Sequence, residues 1–263
     1  MTAIITLANG QKVTTTGEMV KTLKKPRSNK PAKGYILYEG ASVLDGSPIV
    51  CIATMETSNE KTGNMVQTWI IRSDMSPTEA SKSKLDSAVC GMCPHRTSLK
   101  GACYVTLHQA PLAVYKAYKK GNYKHLDKAD LVHFANKRLR MGAYGDPAAV
   151  PFQVWSGIVS ACSGHTGYTH QIAHKNFDSR IATLCQISAD TEKQALQAQK
   201  KGFKTFRVKT ENMKMLDSEM QCLNVSHGIS CLDCGLCDGS KMNIVIDVHG
   251  SRASRFDKFE RII

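Results

Sequence analysis

Four cysteines late in the chain have the clearest chemical signature. Cys231, Cys234 and Cys237 follow the spacing Cys-x2-Cys-x2-Cys, with Cys222 a short distance upstream. Thiolates at this spacing match the first three ligands of a bacterial ferredoxin-type loop, which holds an iron–sulfur cluster. Asp238 departs from that motif, so Cys222 would be the fourth ligand. We therefore expect a [4Fe-4S] cluster. Zinc is the alternative, although structural zinc usually takes its cysteines as two separated pairs.

Cys90, Cys93 and Cys103 form a second group. The first two have the spacing of a metal knuckle, and the third follows after a loop. His95 or His108 could complete a zinc shell, Cys222 could belong here instead, or one iron could stay open to a substrate. Because this group has three sulfurs, we expect it to carry any chemistry. The four-sulfur group would then serve structure or electron supply. In either group, the alternative is a set of structural thiols without metal.

The elements that must position these groups alternate between strands and helices in the second half of the chain. Apolar runs predict strands at residues 139–144, 167–170, 183–189, 203–208 and 242–249, and helical periodicity appears between them. Asp190 is the expected N-cap of a helix over residues 191–201. Such alternation predicts parallel β-α units. We expect an α/β fold with a partial or complete β/α barrel-like core; an open doubly wound sheet is the alternative.

The first half predicts a different organisation. Three strand patterns around residues 35–38, 49–53 and 65–71 indicate an N-terminal antiparallel β meander. Ser76 to Glu79 has the form of a capping box, which would start a helix running to Cys90. The predicted divisions are a basic, flexible arm (1–33), a β-rich part (34–88), a cysteine-rich α/β core (89–250) and a basic tail (251–263).

Polar residues at the predicted carboxyl ends of strands are candidates for catalysis, because loops at those ends build the active sites of β/α barrels. Asp146, His170 and His249 are the expected acid–base or substrate groups. Asp190 and the Ser226-His227 pair occupy similar positions. Each has a structural alternative: a turn for Asp146, a helix cap for Asp190 and a strand end for His249.

A formal net charge of +13 favours polyanionic partners. Two groups of cations lie next to aromatic residues, an arrangement that suits single-stranded nucleic acid. Their members are Lys116, Lys119, Lys120, Lys200, Lys201 and Arg207. Solvated helix faces would look the same in sequence.

The composition, 42% hydrophobic and 22% charged, is typical of a soluble globular protein. No apolar run approaches the length of a membrane span, and the first residues have no signal-peptide pattern, so we expect a cytoplasmic protein without a membrane partner. Thiols stay reduced in that compartment, so the ten cysteines are interpreted as ligands and buried thiols. Cys51, Cys162 and Cys185 lie in apolar segments and are expected in the core.

Five motifs follow one another along the chain: Cys90-x2-Cys93-Pro94-His95-Arg96, Ala102-Cys103-Tyr104-Val105, Arg140-Met141-Gly142-Ala143-Tyr144-Gly145-Asp146-Pro147, Gly167-Tyr168-Thr169-His170 and Cys231-x2-Cys234-x2-Cys237. Together they resemble an uncharacterised family of cysteine-rich phage and plasmid proteins, over most of the chain from about Val66 onward. The resemblance implies a mobile-element origin and the cytoplasm of an infected or plasmid-bearing host.

A more distant resemblance links Cys103-Tyr104 and Gly145-Asp146-Pro147 to phage proteins related to radical S-adenosylmethionine barrels. It implies S-adenosylmethionine as a possible cofactor. The Cys-x3-Cys-x2-Cys motif that binds the catalytic cluster of that superfamily is absent from this sequence.

The residues thus predict a metalloprotein with iron–sulfur centres that binds or acts on nucleic acid, and favour an enzyme of unknown reaction; the resemblance implies that it is of phage type. The alternative is a non-catalytic, zinc-stabilised DNA- or RNA-binding protein of phage replication or host takeover.

Overall fold

The structure, a computed structural model, describes residues 32–250 and 252–256, together with the backbone of two short strands nearer the start. The chain divides into two compact units, Met1–Pro31 and Ala32–Ile263. In the first unit β1 (Ile4–Thr6) pairs antiparallel with β2 (Lys12–Thr14). The flexible arm predicted over residues 1–33 and the basic tail predicted over residues 251–263 fall largely outside the described residues.

The second unit combines strands with short helices. Its strands are β3 (Gly34–Ala41), β4 (Pro48–Thr54), β5 (Val66–Arg72), β6 (Lys124–His125), β7 (Arg138–Tyr144), β8 (Gly164–Thr166), β9 (Tyr168–Thr169), β10 (Gln186–Ala189), β11 (Thr205–Lys209), β12 (Glu219–Gln221) and β13 (Asn243–Asp247). Its α-helices are α1 (Pro77–Lys82), α2 (Ser87–Cys90), α3 (Ala110–Lys119), α4 (Phe152–Ala161), α5 (Glu192–Lys200), α6 (Leu223–His227) and α7 (Cys231–Cys234).

A six-stranded sheet has the order β6-β3-β4-β5-β7-β8. β3, β4 and β5 are antiparallel neighbours, which confirms the predicted meander. β7 joins β5 in parallel and β8 joins β7 in parallel. On this side the sheet therefore changes from antiparallel to parallel pairing at β5, the last strand before Cys90 and Cys93.

A five-stranded sheet, order β12-β13-β11-β10-β9, is parallel throughout. This confirms an α/β protein with parallel strands. The two sheets meet at Gly167, the residue between β8 and β9. Its carbonyl oxygen accepts a hydrogen bond from the Gln186 amide of β10 at 2.9 Å. No closed barrel is formed by the strands that the structure describes, and β13 lies between β11 and β12, so the strands are not in sequential order.

The main core packs the meander and β7 against α4. Trp155 of α4 is fully buried, and its ring nitrogen donates to the Pro147 carbonyl at 2.8 Å. Cys51 and Cys185 are fully buried, as predicted for core thiols, whereas Cys162 is half-buried at the edge of this core.

The capping box is confirmed, because Ser76 accepts a hydrogen bond from the Glu79 amide and the Glu79 carboxylate accepts one from the Ser76 amide. The helix it starts is shorter than predicted. α1 ends at Lys82, and Lys84 has a φ of 62°, a left-handed conformation that interrupts a helix. A separate helix, α2, therefore carries Cys90.

Candidate metal centres

Cys90, Cys93 and Cys103 converge as the sequence predicts. Cys90 ends α2, the Cys93 amide donates to the Cys90 carbonyl at 3.1 Å, and the Cys103 amide donates to the His95 carbonyl at 2.9 Å. Burial raises the pKa of the Cys90 thiol well above its usual value, and the charges of Cys93 and Cys103 raise it further. We call these residues the three-thiol group.

The turn between the first two thiols is held by a buried side chain, Gln171. Its amide nitrogen donates to the Cys90 carbonyl at 3.0 Å and to the Asp146 carboxylate at 2.9 Å, and its oxygen accepts from the Met92 amide at 2.9 Å. Gly91 makes this contact possible, because a Cβ there would lie 2.1 Å from the Gln171 oxygen. The turn is therefore built into the protein interior.

Asp146 supports the same turn. Its carboxylate accepts hydrogen bonds from the Ala148 amide at 3.0 Å and the His170 amide at 2.9 Å as well as from Gln171, and the residue is 7% exposed. This places it beside the three-thiol group as a positioning residue for the Cys90 turn and for the end of β9. Its predicted catalytic role stays a prediction.

His170 and Asp190 follow neighbouring parallel strands, β9 and β10, so their side chains emerge at one edge of the sheet. The Asp190 carboxylate lies 2.8 Å from His95 Nε2 and 3.7 Å from His170 Nε2. Burial alone would raise the pKa of Asp190, but contact with His170 and His95 outweighs it and holds the pKa below its usual range.

The helix cap assigned to Asp190 is wrong. The Thr191 side chain accepts a hydrogen bond from the Gln194 amide and caps α5, which leaves the Asp190 carboxylate for the two histidines. Burial would lower the pKa of His170, yet Cys93 and Asp190 raise it well above its usual value. His170 therefore lies against the three-thiol group, whereas His108 is exposed.

His249, the third predicted catalytic residue, reaches this region through an aromatic contact. Its ring stacks on Tyr104, the residue after Cys103, with ring centroids 6.1 Å apart, and its Nδ1 lies 3.0 Å from the Asp247 carbonyl oxygen. All three predicted catalytic residues therefore lie near the three-thiol group. His170 contacts it directly, whereas His249 reaches it only through Tyr104.

The four late cysteines form one group, and Cys222 belongs to it. Burial raises the pKa of Cys237 to about 12; the Tyr168 hydroxyl opposes this effect, and the charges of Cys231, Cys222 and Cys234 add to it. Cys222 directly follows β12, and its amide donates to the Val245 carbonyl of β13 at 2.8 Å. We call these four residues the four-thiol group.

Neither group brings three of its sulfurs as close together as a single ion requires. In the described part of the chain, no three cysteine sulfurs lie within 4.8 Å of one another. A single zinc ion with tetrahedral bonds of about 2.3 Å would hold its sulfurs only about 3.8 Å apart. In a multi-iron cluster, by contrast, each thiolate binds a different iron, so the sulfurs surround a larger object.

Two arginines of β7 face the four-thiol group. Arg138 donates to the Leu232 carbonyl at 2.8 Å, Arg140 donates to the Tyr104 hydroxyl at 3.0 Å, and the Nε atoms of both are buried without a hydrogen-bond partner among the described residues. Burial raises the pKa of Cys231, and these two guanidinium groups oppose that effect. Positive charge beside the thiols stabilises an anionic centre.

Sequence reasoning assigned no role in the site to Arg138, Arg140 or Gln171, although Arg140 begins one of the motifs that carry the resemblance. The two arginines alternate with Leu139 and Met141 along a strand, which places them on the same face. That period-two pattern was the available signal. Gln171 has no comparable pattern, because its role depends on contacts with residues about eighty positions away.

The predicted nucleic-acid residues have mixed positions. Three of the lysines are exposed on or just after α3, which packs against β5: Lys116, Lys119 and Lys120. Two more, Lys200 and Lys201, are exposed at the end of α5, which packs against β10 and β11. Arg207 is 1% exposed and makes a bidentate pair with Glu219 at 2.7 and 2.6 Å. The prediction that Arg207 contacts nucleic acid is therefore wrong.

Comparison of the chain with protein-family models, curated proteins and solved structures gives no match. Within the described residues, none of the helices combines the length and the apolar character needed to cross a membrane. The resemblance to phage and plasmid proteins and the cytoplasmic location stay predictions.

Proposed function

We propose that the protein is an iron–sulfur protein with two cysteine-ligated [4Fe-4S] centres. One is bound by Cys222, Cys231, Cys234 and Cys237, and the other by Cys90, Cys93 and Cys103. One observation carries the proposal: the thiols of each group are neighbours, yet no three described sulfurs lie within 4.8 Å of one another. That spacing favours a multi-iron cluster over a single zinc ion.

The two centres would have different roles. The four-thiol group supplies a full set of thiolates and is surrounded by Arg138 and Arg140, so it suits electron transfer. The three-thiol group supplies one ligand fewer, which leaves an iron for a substrate, and the polar groups of His170 and Asp190 lie beside it. Chemistry is therefore assigned to the three-thiol centre, in an enzyme whose reaction is open.

The test is the iron and acid-labile sulfide content of anaerobically purified protein. We expect a brown protein with equal iron and sulfide, and loss of about half of both when either group is replaced by serine. The control is Cys162→Ser, a half-buried thiol outside both groups, which should keep the full content. Colourless protein with stoichiometric zinc and no sulfide would overturn the proposal and support the alternative, a zinc-stabilised binding protein.

Single-stranded nucleic acid remains the proposed partner. The supporting feature is the exposed α3 surface, where the Lys119 ammonium lies 5.8 Å from the centre of the Tyr118 ring. Replacing Lys116 and Lys120 by glutamate should weaken oligonucleotide binding and reduce the slope of log K against log salt by about 0.7 for each lost phosphate contact. Lys175→Glu with Lys214→Glu, two exposed lysines outside α3 and α5, is the control of equal charge, and an equal loss in that control would exclude a specific surface on α3.

A further inference from the structure

Among the described residues outside the thiols, one cluster of side chains has the composition of a metal site. We propose that His95, His170 and Asp190 bind one divalent transition-metal ion, in addition to the centres of the two cysteine groups. Their ligand atoms, two imidazole nitrogens and one carboxylate oxygen, all lie within 4.8 Å of one another. Two histidines and one carboxylate are the ligand set of many zinc and non-haem iron(II) sites.

The distances match a single ion. The Asp190 oxygen lies 2.8 Å from one histidine nitrogen and 3.7 Å from the other. Ligands bonded to zinc at about 2.0 to 2.2 Å in tetrahedral geometry lie about 3.3 Å apart, so the two observed separations bracket the required value. Small side-chain rotations would equalise them.

The three side chains are held in place by different parts of the fold. His95 stacks on the buried Phe256 ring, with centroids 5.2 Å apart, and the His170 amide is bound by Asp146. The Asp190 amide donates to the Gln194 side chain at 2.8 Å. These contacts fix the backbone at two strand ends and the plane of one imidazole ring, which is the kind of outer support that metal ligands require.

A hydrogen-bonded cluster without metal explains the geometry less completely. His170 Nε2 is buried and makes no hydrogen bond of ordinary geometry with the described residues: Asp190 lies 3.7 Å away, beyond the length of a hydrogen bond, and Cys93 is the other polar neighbour of the ring. A buried nitrogen without a partner is destabilising. A metal ion placed between the three ligand atoms would satisfy this nitrogen and balance the Asp190 charge.

Three protein ligands leave coordination positions for water or a substrate. Such an ion would lie beside the three-thiol group, since Cys93 is in contact with His170. The inference goes beyond the proposed function and does not depend on iron–sulfur clusters, because nitrogen and oxygen ligands define the site whatever the cysteines hold.

Full-length protein is purified anaerobically and dialysed against a chelator that leaves its iron and sulfide content unchanged. Cobalt(II) is then added as the probe. Binding is followed by the cobalt difference spectrum and by electron paramagnetic resonance. We expect one equivalent to bind without sulfur-to-cobalt charge-transfer absorption. Asp190→Asn and Asp190→Ser should each weaken binding by at least about 10-fold, while iron and sulfide stay at wild-type levels.

The matched control is Glu192→Gln, which removes an exposed carboxylate two residues away and should bind cobalt as the wild type does. Cobalt affinity unchanged in both Asp190 variants, a sulfur charge-transfer band, or no binding to the wild type would each overturn the proposed site. Loss of iron and sulfide from wild-type protein would instead count against the proposed function, so the two failures are distinguishable.

Discussion

The two cysteine groups use the same ligand but are built in different ways. In the three-thiol group, buried side chains from distant elements fix the backbone: Gln171 and Asp146 hold the Cys90 turn, and Asp86 accepts hydrogen bonds from Arg96 at 3.1 Å and Ser98 at 2.7 Å. α2 also buries Ala88 and Val89. This group is preorganised by the protein.

The four-thiol group has fewer such contacts, among them the hydrogen bond from Arg138 to the Leu232 carbonyl at 2.8 Å. α6 has five residues and α7 has four, and neither buries a side chain. The Cys231 and Leu232 amides donate to carbonyls of Lys61 and Thr62 at 3.0 and 2.9 Å, so the segment rests on a loop. Helices this short are unstable alone. The fold therefore places the three-thiol group, whereas the order of the four-thiol segment depends more on the metal that it binds.

Metal removal should separate the two groups most strongly. In chelated protein we expect amide hydrogen exchange of residues 222–237 to accelerate by orders of magnitude, because their ordering depends on the bound centre. Residues 86–96 should keep most of their protection. Exchange measured by mass spectrometry checks this, and equal acceleration of the two segments would refute the contrast.

Glycine substitutions test the close approaches in each group. A Cβ at Gly235 would lie 1.8 Å from an Arg138 nitrogen, and one at Gly91 would lie 2.1 Å from the Gln171 oxygen. Gly235→Ala should abolish iron in the four-thiol group alone, and Gly91→Ala should lower iron in the three-thiol group. Iron and sulfide analysis is the measurement. Gly228→Ala is the control, because its φ is also positive but no atom lies within 4 Å of the added Cβ; it should keep the full iron content.

Loss of the buried amide tests preorganisation directly. Gln171→Met removes three hydrogen bonds and leaves buried partners unsatisfied, so we expect a loss of about 3 kcal/mol in the free energy of unfolding, with or without metal. Denaturant titration measures it. Gln197→Met on the exposed face of α5 is the matched control, and a similar small effect from both changes would show that Gln171 is dispensable.

The smallest expected effect is a pH dependence. Folding raises the pKa of Cys162, a thiol outside both groups, from 9.0 to about 12 because burial disfavours the thiolate. The protein should therefore be most stable below pH 9 with respect to this group and lose stability as pH rises from 9 toward 12. Thermal unfolding of wild type and Cys162→Ser should diverge over this range, and parallel curves would contradict the prediction.

The sequence predicted the meander and the parallel strands, since these depend on local periodicity. It also placed Cys90 beside Cys93 and Cys231 beside Cys234 and Cys237, since neighbours in a short motif stay close; that these thiols bind metal stays a prediction. It failed where the outcome depends on one competing contact. Asp190 and Thr191 are both good cap residues, and only the structure shows that Thr191 is used. Arg207 lies in a basic stretch, but its partner Glu219 is twelve positions away, so its burial was not predictable from the local pattern.

The strand order was also beyond the sequence. β12 has three residues, too few to show a period, and it pairs with β13 at an edge of the parallel sheet. Among the described strands, β12 has no neighbour on its other side. Position within a sheet depends on long-range pairing, which short patterns do not encode.

The strand order determines when the position of Cys222 can be fixed during biosynthesis. β12 pairs with β13, so Cys222 has no fixed position until residues 243–247 have left the ribosome and joined the sheet. The three-thiol group also has a late contact, because Arg252 donates to the Cys103 carbonyl at 3.0 Å and follows β13 in the chain. Both groups are thus completed only by the last described part of the chain, and a chain stalled before β13 would present reactive thiols to the cell without the strand that fixes Cys222.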